Sequence, residues 1–185
     1  MENIKALLDV LSKVGVCETG KRYLNGTDKD INVLIKVWKG WAEYLYEHSD
    51  FACKVLRKYL TEEDKKTLEC ESLFLDKVGR PNEFLKTPIF LVGDCDIEID
   101  ISPISFYKIY LFNKSKAKIH CGYDSIMDIE AFDESHVSID GDTHRCTVYK
   151  YDKSTIEGSC KIKEKEYIRG AVFNGEEINS ASHKD

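Results

Sequence analysis

The residues with chemistry to offer lie in the second half of the chain: Asp124, Asp128, Glu130, Asp133, Glu134, Asp140 and Asp142, with His120, His136 and His144 among them. Carboxylates brought side by side can hold a divalent cation or act as an acid and base pair on a glycosidic bond. Imidazoles beside Asp140 and Asp142 can be drawn as a metal site, but their spacings match no helix or ribbon ligand motif. No metal and no cofactor is therefore expected. No catalytic triad, phosphate loop or nucleic-acid signature accompanies these residues. The expectation is a binding surface rather than an active site, with Asp128, Glu130, Asp140, Asp142 and His144 as its candidate residues.

What must position these side chains is a repeat. Ile89, Ile99, Ile109, Ile119, Ile129 and Ile139 recur every ten residues, Val148 follows after nine, and Gly158, Ile168 and Ile178 continue the series. Measured from the anchors Cys95, Ser105, Ser115, Ser125, Ser135, His144 and Ser154, the positions two, four and six residues later are apolar or small, with Lys150 the exception. The alternate positions, such as Lys116, Lys118, His136 and Ser138, are mostly polar. This period of two predicts half-buried strands. Between them stand Asn113-Lys114-Ser115, Tyr123-Asp124-Ser125, Asp133-Glu134-Ser135 and Asp152-Lys153-Ser154, whose Asn and Asp side chains suit tight turns. Constant turn length and an aliphatic ladder favour a parallel β-solenoid of ten-residue repeats. The alternative is an antiparallel meander or barrel, whose short hairpin loops should be richer in glycine. The number of sides per coil stays open.

Before residue 80 the period is helical. Ile31, Leu34, Ile35, Trp38, Trp41, Ala42 and Leu45 make one apolar stripe, with Thr27 and Asp30 as a capping box and both tryptophans read as core. Ser49 and Thr61 are further start signals, the latter followed by Glu62, Glu63 and Asp64, which complement a helix dipole. The fold class is α+β: about four helices over 1–80, capping a β-repeat domain over 88–178, then a frayed tail over 179–185.

Composition bounds the partners. The net charge of −6 disfavours a phosphate-backbone binder. Seven widely spaced cysteines without a C-x-x-C pair read as reduced thiols of a cytoplasmic protein, Cys17 being the most reactive candidate. Cys121, Cys146 and Cys160 fall in inward columns. No signal peptide or membrane-length apolar run is visible. Outward Tyr110, Tyr149 and Tyr151 and open solenoid ends suggest self-association as a homo-oligomer. The lysines around Cys160-Lys161-Ile162-Lys163 are suited to protecting the last strand edge.

The helical start with Gly15-Val16-Cys17 and Gly20, the Trp-rich helix, and the turn-punctuated strands from Phe90-Leu91-Val92-Gly93-Asp94-Cys95 resemble uncharacterised proteins of Bacteroidetes genomes and their prophages or mobile elements. That resemblance implies the helix-plus-repeat architecture and carries no activity and no functional residue. The expected function is non-enzymatic: a rigid repeat surface presented to a protein partner, without nucleic acid or membrane. Two alternatives are a small acidic inhibitor or immunity-type protein that masks a basic site, and a carbohydrate-active β-helix enzyme. Irregularities concentrate between Gly141 and Lys150, where local rules break and a functional surface is looked for first.

Overall fold

The ten-residue rhythm is half of a coil. The computed structural model describes residues 2–14, 24, 29–40, 42–81, 84–158 and 162–167. Within them run the strands β1 (Leu73–Leu75), β2 (Val78–Gly79), β3 (Ile89–Val92), β4 (Asp96–Asp100), β5 (Phe106–Leu111), β6 (Lys116–Ala131), β7 (His136–Tyr151), β8 (Thr155–Gly158) and β9 (Ile162–Tyr167). The pairings between them are parallel. Ile99 pairs with Ile119 and Ile119 with Ile139, whereas Ile89 pairs with Ile109 and Ile109 with Ile129. Successive isoleucines of the sequence series therefore belong to two ladders, and each coil gives one strand to each. The first column holds β2, β4, β8 and the first halves of β6 and β7; the second holds β1, β3, β5, β9 and the second halves of β6 and β7. The result is an α+β protein in which helices precede a two-sided β-solenoid of about four turns, not a barrel.

Alternation buries the aliphatic set. Ile97, Ile99, Ile119 and Ile139 of the first column face a sealed interior shared with Ile89, Leu91, Ile109, Ile129 and Val148 of the second. Each such side chain stabilises the fold by roughly 1.5–3 kcal/mol.

One corner explains the recurring Asn/Asp-x-Ser. Asp76, Gly93, Asn113, Asp133 and Asp152 all take positive φ there, between 54° and 85°. Asn and Asp tolerate that region better than other residues with a Cβ. They also rung the coils together: Gly93 N–H donates to Asn113 Oδ1 at 3.0 Å, Asn113 N–H to Asp133 Oδ2 at 2.7 Å, and Asp133 N–H to Asp152 Oδ2 at 3.3 Å. The small residues that follow, Cys95, Ser115, Ser135 and Ser154, are buried in the bend.

The nine-residue step is absorbed at the opposite corner. β6 turns through Cys121–Ile126 while β7 turns through Gly141–Arg145 with one residue fewer, and the register shifts there. Gly141 has φ +98°, and a Cβ on it would lie 2.5 Å from the Cys121 carbonyl oxygen. Only glycine fits that approach.

Among the described residues run the helices α1 (Glu2–Leu11), α2 (Ile31–Gly40), α3 (Ala42–Tyr59) and α4 (Glu62–Glu69). Asp30 accepts from Val33 N–H at 3.0 Å and itself caps α2. The start expected at Ser49 is a kink inside α3, where His48 has φ −131° and ψ 29°. Thr61 forms a capping box with Asp64, as its sequence suggests. The expectations for Cys17, Thr27, Trp41, Cys160, Lys161 and residues 168–185 lie outside the described residues.

The helices do more than cap an end. Leu7, Leu34, Trp38 and Leu56 share a core with Leu73, Phe90, Tyr110, Phe112 and Phe132, which point outward from the second column. α4 lies beside β1 at the first coil, tied by Lys77 to Glu69 at 2.8 Å. The solenoid thus begins at Leu73, earlier than the residue 88 expected from periodicity. The tyrosines expected to be available for self-association are correspondingly covered: Tyr110 is buried, and Tyr149 and Tyr151 are half-buried.

Candidate functional site

The two corners of the solenoid differ in what covers them. α3 runs along the Asx corner as a strap. Arg57 binds Asp76 at 2.6 and 2.8 Å and Asp94 at 2.8 Å, Asp50 accepts from Asn113 Nδ2 at 3.0 Å, and the Tyr46 ring lies 5.0 Å from Phe132 and 5.3 Å from Tyr151. A helix rises about 16 Å between Tyr46 and Arg57, which matches three to four strand spacings of about 4.8 Å. Burial raises the Asp76 carboxyl, but the Arg57 guanidinium and the Asp94 N–H more than offset this and hold it below the ordinary range. The groove between strap and turns, about 480 Å³, includes the Cys53 thiol, which burial pushes up to about 11. A thiol so raised is a poor nucleophile.

The outer face of the first column is neutralised coil by coil. His120 lies between two carboxylates, Nε2 at 2.6 Å from Glu98 and Nδ1 at 2.7 Å from Asp140. Arg80 in turn holds Glu98 and Asp100 at 2.9 Å each. Hydrogen bonds to Glu98 and then Asp140 raise the imidazole above its ordinary value, and Arg80, ahead of His120, pulls Glu98 down to about 2. His136 repeats the device with Thr155 at 2.8 Å and Glu157 at 3.4 Å.

On the second column Glu130 meets Lys108 at 3.1 Å and the Tyr151 hydroxyl at 3.5 Å, beside a groove rimmed by α2 and α3. Asp128 lies 3.9 Å from Arg145. These carboxylates have cationic neighbours instead of one another. Among the described residues no three His, Cys, Asp or Glu groups converge on a metal position.

Among the described residues no helix covers the second corner, which is open. It stacks Ser102–Ser105, Gly122–Asp124 and Asp142–His144 in three successive coils, and most of these residues are exposed. Ile104 is 78% exposed, Tyr123 59% and Phe106 50%. The segment is held firmly: Ile104 N–H donates to the Tyr123 carbonyl at 3.0 Å, and a Cβ on Gly122 would fall 2.4 Å from the Ile101 oxygen. Ile104 also has φ +52°. For a β-branched residue that conformation is strained, and its exposed side chain gains no burial in return.

The candidate residues are therefore divided. Asp142 and His144 stand on the open corner, and Asp140 and Asp128 flank it on the two faces; Glu130 belongs with the helix-lined groove instead. Sequence reading missed Ile104, Phe106 and Tyr123 as a unit. A signal exists: the residue before each anchor is Asp94, Lys114, Asp124, Glu134, Thr143 or Lys153, polar in each case, and Ile104 alone is apolar. What the corner can do chemically is recognition, since it offers apolar contact and carboxylates without a nucleophile beside a base. No family model matches the chain, and no curated protein and no solved structure matches it.

Proposed function

We propose that this is a non-enzymatic binding protein that presents a rigid solenoid surface to a macromolecular partner, with the open corner as the contact. One observation carries the reading: Ile104, Phe106 and Tyr123 form an exposed apolar row on a corner whose backbone is pinned, while the flanking sheet faces satisfy their own charges. Exposed apolar groups on a rigid frame bind with little ordering cost. The described cysteines form no disulfide, and among the described residues no helix is long and apolar enough to cross a membrane; both support a cytoplasmic setting as part of the proposal. A mobile-element context belongs to the same proposal and rests on the resemblance alone.

Site-specific photo-crosslinkers test it. A benzophenone side chain at position 123 should trap a discrete partner in native lysate, and the same probe at position 118, on the self-paired face, should not. Equal labelling from both positions, or none from 123, overturns the assignment.

A further inference from the structure

We infer that the partner of the open corner is a basic amphipathic helical segment of another protein; this rests on the binding reading above. The corner is apolar with an acidic balance: its turns carry Asp124 and Asp142 against one cation, Arg145, which lies 3.9 Å from Asp128. Asp124 and Asp142 are exposed on it and form no ion pair among the described residues, in contrast to Glu98, Glu130 and Asp140. Asp124 sits next to Tyr123, and Asp142 is one coil further along the stack. The apolar row and its carboxylates span three coils, about 10 Å at the strand spacing, which is about two turns of a helix. A helix laid across the corner would bury one apolar stripe on Ile104, Phe106 and Tyr123 and place Lys or Arg from its edges beside Asp124 and Asp142. A second copy of this chain suits the corner poorly, because it would bring the same two carboxylates against themselves.

Two synthetic peptides with identical leucine stripes, one with lysines and one with glutamates on the polar face, distinguish these possibilities. They are titrated into the isotopically labelled full chain and followed by amide shifts. The lysine peptide should perturb residues 102–106, 122–125 and 141–145, bind at least tenfold more tightly than the glutamate peptide, and lose that advantage in the Asp124→Asn/Asp142→Asn variant. Equal binding of both peptides, shifts elsewhere, or concentration-dependent association of the protein alone through these amides would overturn the inference. Binding of neither peptide overturns it too, and leaves the corner itself to be judged by the separate crosslinking result.

Discussion

Asp50 on α3 accepts a hydrogen bond from the Asn113 carboxamide at 3.0 Å across 63 residues of sequence. The same carboxamide accepts from Gly93 N–H with its oxygen, so one side chain joins the strap helix to two coils. Asn113→Ala removes both bonds and leaves a Cβ at φ +61°. A loss of about 2–4 kcal/mol is expected from an unsatisfied buried amide plus a left-handed alanine. Denaturant unfolding of Asn113→Ala and Asn113→Gly separates the two parts, because glycine relieves the strain and restores no bond.

Glycine replacement reads the open corner in the same way. Gly79 has φ +93° with nothing near its missing Cβ, whereas Gly141 adds a backbone oxygen at 2.5 Å. Gly79→Ala should cost about 1–2 kcal/mol for the conformation alone. Gly141→Ala should cost clearly more, and equal midpoints for the two variants would show that the close approach between coils is not real.

The imidazole between Glu98 and Asp140 gives stability a pH signature. Because its folded value is raised, the His120 contribution is complete below about pH 6.5, the unfolded value, and is lost as pH climbs through the folded one. Glu98 runs the other way: its contribution holds at neutral pH and fades as pH falls towards about 2. His120→Gln should therefore lower Tm more at pH 5.5 than at pH 9.5. An equal drop at both values would mean the ring contributes only packing.

Phe112 is fully buried and stacks on Phe132 at 4.7 Å in the core shared by helices and second column. Phe112→Ala should cost about 3–5 kcal/mol. Hydrogen exchange should show α3 losing protection along with β5 and β6. Loss confined to the strands would separate the helices from the solenoid as an independent unit.

How much of this was legible in the sequence follows from which forces act locally. Period-two alternation and Asx turns report on each strand and bend alone, so the inward-facing isoleucines and the bends at Asn113, Asp133 and Asp152 could be read directly. The two-sidedness of the coil could not, because it depends on which decads stack. Tyr110 looked solvent-facing by alternation, yet the helices cover that face, a tertiary fact without local signature. Asp140, a candidate binding residue by its outward position, is bound to His120 in the neighbouring coil, a pairing that no local pattern announces. Ile104 was visible only as a break in a polar column, which alternation counts do not weigh.

The most direct measurement of the binding account is the Ile104→Asn variant, read twice. Asparagine accepts φ +52° and removes the apolar side chain, so strain falls while contact is lost. The expected result is a Tm equal to or above that of the parent together with loss of partner trapping at position 123. A variant that keeps its partner at undiminished yield, whatever its Tm, would contradict the assignment of the open corner as the binding surface.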